Sequence, residues 1–262
     1  NSLEEKKGFL EAKKQAIKEF EKDTNLYILI KKIKRRNLKK MKVYHDLVKY
    51  VLENGERKKN RTGVDTISTF AYFYKVNLAE GYPLLTTKKV NFNSMLRELF
   101  WYLSGEEHIK NLREHTKIWN GWADEEGRLE TAYGRYWRRF PMALLGEEIN
   151  NCGNGIASTG EVYATENNKN VHYNGETNLY EFDQIQYVID TLKEMKINPV
   201  TRNGRRLIVS AWNPENATIS KLPPCHYTFV FNVMGNKLNC HLTQRSGDIA
   251  LGIPFNLACY SL

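Results

Sequence analysis

Two neighbouring segments near the C-terminal end alternate apolar or aromatic residues with polar ones, which is the pattern of paired β-strands. They are HYTFVFNV (His226–Val233) and KLNCHLTQR (Lys237–Arg245), and a Met-Gly-Asn turn separates them. A turn centred between Gly235 and Asn236 pairs residues whose numbers sum to 471. The sequence therefore predicts an antiparallel hairpin with a defined register.

The hairpin brings three reactive groups together at its open end. Cys225, in LPPCHYTF, immediately precedes the first strand and faces Ser246 in this register, beside Arg245. A cysteine is nucleophilic only as the thiolate, which a neighbouring cation favours. Arg245 and the serine hydroxyl are also suited to an anionic substrate group. Two interpretations of Cys225 remain open, a structural core residue and a catalytic nucleophile.

Helical spacing of apolar residues predicts three helices upstream of the hairpin. They lie within Met41–Gly55, Asn91–Ser104 and Phe182–Met195, and Gly55 is a candidate C-cap. Thr66–Leu78 alternates and is rich in aromatic residues, so we expect a strand there.

The charge is concentrated at the N-terminal end. The chain has 39 Lys and Arg against 30 Asp and Glu, a net charge of +9. Residues 1–40 hold 13 basic and 6 acidic residues, leaving 26 and 24, or only +2, for the rest. We interpret 1–40 as a basic helical extension of unknown role. Its run KKIKRRNLKK (31–40) is either a solvated linker or a surface for nucleic acid.

The remaining chain is expected to form one domain, residues 41–262. Residues 142–181, rich in Gly, Asn, Thr and Glu, are expected to be an inserted loop or small subdomain. The four cysteines and six histidines show no metal-binding spacing, so we expect no metal. No apolar run is long enough for a membrane span or a signal peptide, so we expect a cytoplasmic protein and no membrane association.

Glu98 is the main candidate for proton transfer. It lies within LRELFWYL, on a helix whose other residues are mostly apolar. Burial disfavours the charged form of a carboxyl group, which suits acid–base chemistry near neutral pH. The alternative is that Glu98 lies on the solvated face of the helix.

Two further sets of residues have a possible ligand-binding role. Arg61, Arg205 and Arg206 adjoin turns that contain glycine, a common setting for phosphate binding, although plain solvation is the alternative. Trp119 and Trp122 are candidates for stacking on a flat ligand or for the core.

Eight motifs occur in the order and spacing of the thymidylate synthase family, which the chain therefore resembles from about residue 41 to 262. Interrupted only by the 142–181 insertion, they are NRTGVDT, YPLLTTKK, RELFWYLSG, IWNGWADEEG, AYGRYWRRFP, RRLIVSAWN, LPPCH and QRSGDIALGIPFN. The resemblance implies an α/β fold of the α+β type. Its mixed, largely antiparallel sheet would pack against helices and form the interface of a homodimer.

The activity implied by the resemblance is reductive methylation of dUMP to dTMP. The carbon and the hydride both come from 5,10-methylenetetrahydrofolate, and no NAD(P) or metal is needed. Cys225 would add to C6 of the uracil, which makes C5 nucleophilic.

The resemblance also assigns roles to individual residues. Catalytic roles fall to Cys225, Glu98, Tyr133, Arg245 and Asp248. Substrate contacts fall to Arg61, Arg205, Arg206, His226, Gln244, Ser246 and Asn256, with Arg205 and Arg206 reaching the partner's site. Folate contacts fall to Trp119, Asp248, Lys88, Leu251 and Gly252.

Two other functions are considered beside this one. A dUMP hydroxymethylase shares the early steps and then adds water instead of hydride, and an RNA-binding protein would use the basic extension. Members of the family continue beyond the position of Leu262 with a His-x-Tyr pair and a closing tail. We therefore expect the sequence to be a fragment lacking the C-terminal part, inactive by itself.

Overall fold

A computed structural model describes residues 41–60, 62–129, 132–145, 170–177 and 179–262, without the side chains of 143–145, 202 and 216. The basic extension, Arg61 and most of the predicted insertion lie outside the described residues. The described chain forms two compact units. One contains the residues up to Asn91 together with Asp248–Leu262, and the other is Phe92–Gly247.

The first helix of the described residues is α1, Lys42–Asn54, which lies in the first unit where helical spacing predicted it. Gly55 caps its C-terminal end through a backbone N–H bond to Val51. The buried side chains of Leu47 and Val51 pack with Ile253 into a small core. Ile253 belongs to the last helix of the same unit, α6 (Gly252–Cys259).

The strand predicted for Thr66–Leu78 is mostly wrong. Strand β2 covers only Thr66–Ser68, where it pairs antiparallel with β1, Glu56–Lys58. Ala71 then has a φ of 63°, in the left-handed region that interrupts an extended chain. The segment ends in a 3₁₀ helix, Leu78–Glu80.

The second unit contains two helices that pack closely. Helix α2 is Phe92–Ser104 and the short helix α3 is Tyr133–Arg138. A Cβ added to Gly134 would lie 2.4 Å from the carbonyl oxygen of Tyr102, so only glycine permits this approach of the two backbones.

A three-stranded antiparallel sheet follows α3. Its strands are β3 (Phe140–Leu145), β4 (Val171–Asn174) and β5 (Leu179–Phe182), in the order β3-β5-β4. Both ends of the predicted insertion thus form strands, and residues 146–169 lie outside the described part. Helix α4, Gln184–Ile197, comes next, beginning two residues later than predicted.

The hairpin is part of a second three-stranded sheet in this unit. Strand β7 (His226–Met234) lies between β6 (Ile208–Ser210) and β8 (Lys237–Gln244). From Met234↔Lys237 to Thr228↔Thr243 the paired numbers sum to 471, as predicted. A bulge then shifts the sum to 470. A short helix, α5 (Pro214–Ala217), separates β6 from β7.

Helices and antiparallel sheets together confirm the α+β class. The strands of the described residues form three small sheets, where we expected one mixed sheet. Within the same residues, every helix is too short or too polar to cross a membrane.

Candidate active site

Cys225 and Arg245 lie opposite each other at the open end of the hairpin. Because of the bulge, the N–H of Arg245 bonds to the carbonyl of Cys225 at 2.9 Å, so Arg245 and not Ser246 faces the cysteine. The guanidinium Nη2 lies 3.8 Å from the thiol sulfur. The thiol is half-buried, and Ser246 is exposed. A nucleophile and a cation are therefore adjacent, although the predicted facing residue was wrong by one position.

Backbone carbonyls and an indole ring hold the guanidinium of Arg245. Its Nη2 donates to the carbonyl of Pro223 at 2.6 Å, and its Nε donates to that of Pro224 at 3.0 Å. The guanidinium carbon lies 5.8 Å from the centre of the Trp212 ring, within range of a cation–π contact. The two prolines thus place the thiol and also anchor the cation beside it.

Tyr133 contacts the other side of the cysteine. The backbone N–H of Cys225 donates to the phenol oxygen of Tyr133 at 2.7 Å. Burial, with the nearby Cys225 thiol as a smaller cause, raises the pKa of Tyr133 above its usual value. The phenol is therefore neutral near pH 7. Because its oxygen accepts the amide proton, its own proton is oriented elsewhere and can be donated.

His226 stacks on the same tyrosine. The two rings are 3.9 Å apart and within 2° of parallel. Burial lowers the pKa of His226 to about 3, so the ring is neutral. Across the hairpin His226 pairs with Gln244, whose side-chain Nε2 is buried without a hydrogen-bond partner among the described residues. An orphaned buried donor of this kind suits a ligand carbonyl.

Glu98 is buried, which excludes the solvated-face alternative. Its Oε1 accepts a hydrogen bond from Nε1 of Trp119 at 2.7 Å. Burial raises the pKa of Glu98 to about 7, although hydrogen bonds from Trp119 and Tyr102 act in the opposite direction. A carboxyl group with this pKa is about half protonated at neutral pH and can both donate and accept a proton.

Trp119 belongs to the aromatic cluster around these groups. It is 8% exposed, and its ring centre lies 6.0 Å from that of Tyr133. This packing fits the core alternative for the tryptophan, and a contact with folate stays a prediction. Trp122, by contrast, is half-buried.

This arrangement agrees with the comparisons to known proteins. The thymidylate synthase family model matches residues 42–262. The chain belongs to the thymidylate synthase family. A curated thymidylate synthase from Haloferax volcanii is 56% identical over 220 residues, which are 83% of this chain and 58% of that protein. The chain thus spans less than two thirds of that relative's length.

Among the described residues, five that were predicted from the family pattern lie in the first unit, and two of them, Asp248 and Leu251, are exposed. Oδ1 of Asp248 accepts the N–H of Leu251 at 2.6 Å and so holds the turn that precedes helix α6. Gly252 begins this helix, and Asn256 lies within it, half-buried. The side chain of Lys88 donates to the carbonyl of Ala250.

Lys88 also lines a groove of about 510 Å³ in the first unit. Two further basic side chains, His45 and Lys49, lie on its α1 wall, and apolar contacts come from Val48 and Leu52. Glu53 also lines the groove, and its carboxylate lies 3.7 Å from Nζ of Lys49, so these two charges offset each other. The groove therefore combines an apolar wall with charges of both signs. The Lys88 ammonium in this groove is suited to a ligand carboxylate.

The structure does not bring the three predicted phosphate-binding arginines together at Cys225. Arg205 and Arg206 are exposed, at and just after the 3₁₀ helix Arg202–Arg205, and Arg61 lies outside the described residues. Within the described residues, no three His, Cys, Asp or Glu side chains form a group that could hold a metal ion.

The sequence interpretation missed two residues that border the site. Trp212 stands inside the motif RRLIVSAWN, and the motif was the signal that could have drawn attention to it. Gln184 has no such signal, since a glutamine at a helix start has no distinctive pattern.

Proposed function

We propose that the protein is a thymidylate synthase that methylates dUMP to dTMP with 5,10-methylenetetrahydrofolate. The single observation that carries the proposal is the position of Cys225. Its sulfur lies 3.8 Å from Nη2 of Arg245, and its backbone N–H donates to the phenol oxygen of Tyr133. A thiolate, a cation for an anionic substrate and a proton donor are the groups that nucleophilic addition to a pyrimidine nucleotide requires. Membership of the family supports the same reaction.

In the proposed first step the Cys225 thiolate adds to C6 of the uracil ring. The C6–S bond forms, and the C5=C6 electron pair moves to C5 and O4 as an enolate. The Arg245 guanidinium lies beside the sulfur, and with Ser246 it is proposed to bind the phosphate. The orphaned Nε2 of Gln244 is suited to donate to a uracil carbonyl.

The same step predicts a reaction that needs no folate. The enolate can take up a deuteron at C5 from D₂O, a base then removes the original proton, and the thiolate leaves. Glu98 and Tyr133 are the proposed proton carriers, because the first is half protonated at pH 7 and the second is a neutral donor. C5 hydrogen exchange therefore reports on Cys225 and the proton carriers alone.

Folate, when bound, supplies the one-carbon unit and the hydride. We propose that Lys88 and the groove that it lines bind the carboxylate end of the folate, with Asp248, Leu251 and Gly252 nearby in the first unit. Trp119 is proposed near the folate ring. The groove's apolar wall and the Lys88 ammonium fit the aromatic and anionic parts of the cosubstrate.

We also propose a homodimer in which Arg205 and Arg206 bind the phosphate in the partner's site. Their exposure supports this, because neither guanidinium is used by a fold contact that would bury it. A cytoplasmic location belongs to the same proposal, as does the absence of NAD(P). The RNA-binding alternative rests on residues 1–40, which lie outside the described residues.

The test is to incubate the protein at its full length with dUMP and 5,10-methylenetetrahydrofolate and to identify both products. Dihydrofolate with dTMP is expected, whereas tetrahydrofolate with hydroxymethyl-dUMP would establish the hydroxymethylase instead. Cys225→Ser should abolish turnover and the covalent dUMP adduct seen by mass spectrometry. The matched variant Cys240→Ser, at an exposed position on β8, should retain both.

A further inference from the structure

We propose that Gln184 is a positioning residue that couples Tyr133 to the Cys225–Arg245 pair. The inference rests on the proposed function for its catalytic meaning, but its structural content can be tested separately. Gln184 is the first residue of helix α4 and is 7% exposed. It touches none of the proposed reacting groups.

The amide side chain of Gln184 forms three hydrogen bonds to backbone groups of two other elements. Its Nε2 donates to the carbonyl of Tyr136 in helix α3 at 2.7 Å and to the carbonyl of Ser210 at the end of β6 at 2.8 Å. Its Oε1 accepts the N–H of Ser210 at 2.9 Å. Both donor positions and one acceptor position of the amide are therefore used.

Both partners are backbone groups at the end of a secondary-structure element. The carbonyl of Tyr136 belongs to the last turn of α3, where helical partners run out. Ser210 ends β6, which is an edge strand of the sheet that the described residues form, so its outer N–H and C=O face away from β7. The glutamine amide donates to the carbonyl of Ser210 and accepts its N–H, as the backbone of a further strand would.

Each partner leads directly to one half of the candidate site. Helix α3 begins with Tyr133, three residues before Tyr136, and its phenol oxygen accepts the Cys225 N–H. Ser210 is two residues before Trp212, whose N–H bonds to the Ser210 hydroxyl at 3.3 Å and whose ring contacts the Arg245 guanidinium. Gln184 is thus hydrogen-bonded to the segment that carries Tyr133 and to the segment that carries Trp212.

An ion pair strengthens the same junction. Asp183, the N-cap of α4, binds the guanidinium of Arg138 at 2.8 Å, and Arg138 also donates to the carbonyl of Leu103 in α2 at 3.0 Å. This contact holds α3 near its C-terminal end whether or not Gln184 is present. Loss of the glutamine amide should therefore move Tyr133 and Trp212 relative to each other without releasing α3 from the fold.

The first test is amide hydrogen exchange at Cys225, measured by NMR on the labelled full-length protein. Gln184→Met should raise the exchange rate of the Cys225 N–H about tenfold, because its bond to Tyr133 weakens. The reference is the N–H of Phe231, which bonds to the carbonyl of Leu207 at 2.8 Å in the same sheet. Equal acceleration at Cys225 and Phe231 would reduce Gln184 to a general stabiliser and overturn the inference.

Two further variants make the comparison sharp. Gln186→Met makes the same substitution two residues along α4, at a side chain that bonds to Asp190 on its own helix, and should leave both rates unchanged. If Gln184→Met fails to fold, Gln184→Asn keeps the amide on a shorter side chain and should accelerate Cys225 exchange by a smaller factor. Unchanged exchange at Cys225 in the asparagine variant would contradict the proposal.

The second test uses C5 exchange of dUMP in D₂O. Gln184→Met should lower the rate about tenfold in the native background and by less than about threefold in Tyr133→Phe, because the two residues act as one unit. The same factor in both backgrounds would overturn the coupling. Absence of C5 exchange in the native protein would instead contradict the proposed function, and the amide measurement would still decide the positioning role.

Discussion

The phenol oxygen of Tyr133 accepts the backbone N–H of Cys225 at 2.7 Å, so the proposed nucleophile and a proposed proton carrier are joined by one hydrogen bond. The bond fixes where the phenol lies relative to the thiol. It also uses the oxygen lone pair, which leaves the phenolic proton as the group that can act on a substrate.

Tyr133→Phe should therefore damage both stability and chemistry. The partly buried Cys225 N–H loses its acceptor, which should lower the free energy of unfolding by about 1–3 kcal/mol. Loss of a proton carrier should slow C5 exchange of dUMP by about 100-fold or more. Urea unfolding and mass spectrometry of dUMP from D₂O measure the two effects. Tyr173→Phe, at a 54% exposed position on β4, should change neither; exchange at the native rate in Tyr133→Phe would contradict the assigned role.

Glu98→Gln should change how stability depends on pH. The carboxyl has a pKa of about 7 in the folded protein against 4.5 when unperturbed, so the folded state holds the proton more tightly. The contribution of Glu98 to the free energy of unfolding should then fall as the pH rises from about 4.5 to about 7. Since one pKa unit is about 1.4 kcal/mol, the penalty above pH 7 is about 3 kcal/mol.

Urea unfolding at pH 5 and pH 8 measures this effect. Between the two pH values the free energy of unfolding should change by about 2.5 kcal/mol more favourably in Glu98→Gln than in the native protein, because the amide does not titrate. His226, whose lowered pKa acts in the opposite direction, is common to both proteins and cancels in this difference. Glu56→Gln, at an exposed position on β1, should follow the native protein. An identical pH response in Glu98→Gln and the native protein would show that Glu98 titrates normally.

Local patterns in the sequence were enough to predict the hairpin and three helices. Seven consecutive pairs of the hairpin obey the predicted sum of 471, because side-chain alternation and a short turn together determine register. The bulge beside His226 was not predictable, since one extra residue leaves alternation in the rest of the strand intact. It moved Arg245 into the position predicted for Ser246.

The other errors also arise where backbone geometry or contacts distant in sequence decide the structure. The aromatic alternation after Thr66 suggested a long strand, but the backbone of Ala71 turns into the left-handed region, which no residue pattern there indicates. Gln184 was missed because its role depends on backbone groups of two distant segments, Tyr136 and Ser210. The burial of Glu98 was one of two open alternatives, since helical spacing alone did not settle which face it occupied.

The proposed dimer can be tested by mixing two inactive variants. If Arg206 acts in the partner's site, Cys225→Ala and Arg206→Glu each inactivate a homodimer, but in a mixed dimer one site has both an intact thiol and an intact arginine. Mixing equal amounts after subunit exchange should therefore restore about a quarter of native turnover, since half the dimers are mixed and each has one complete site.

The control is a mixture in which both substitutions lie on the same protomer. In a dimer of Cys225→Ala/Arg206→Glu protein with native protein, neither site has both the thiol and the arginine, so mixed dimers should be inactive. Mixed with either single variant, the double variant should restore no turnover. Failure of the two single variants to complement each other, with exchange of subunits demonstrated, would place Arg206 in its own protomer's site or outside any site.

Asn256→Asp should shift the preferred base from uracil towards cytosine. Asn256 is half-buried on helix α6, and an amide can donate to O4 of uracil while accepting from N3–H. An aspartate cannot donate to O4 when ionised, but it can accept from the exocyclic amine of cytosine. The ratio of kcat/KM for dUMP to that for dCMP should fall by about 10- to 100-fold, the effect of leaving one polar pair unmatched.

Asn239→Asp makes the same charge change at an exposed position on β8 and should leave the ratio unchanged. That control carries the same added charge. If the ratio of kcat/KM for dUMP to that for dCMP is also unchanged in Asn256→Asp, Asn256 is not the residue that reads the base.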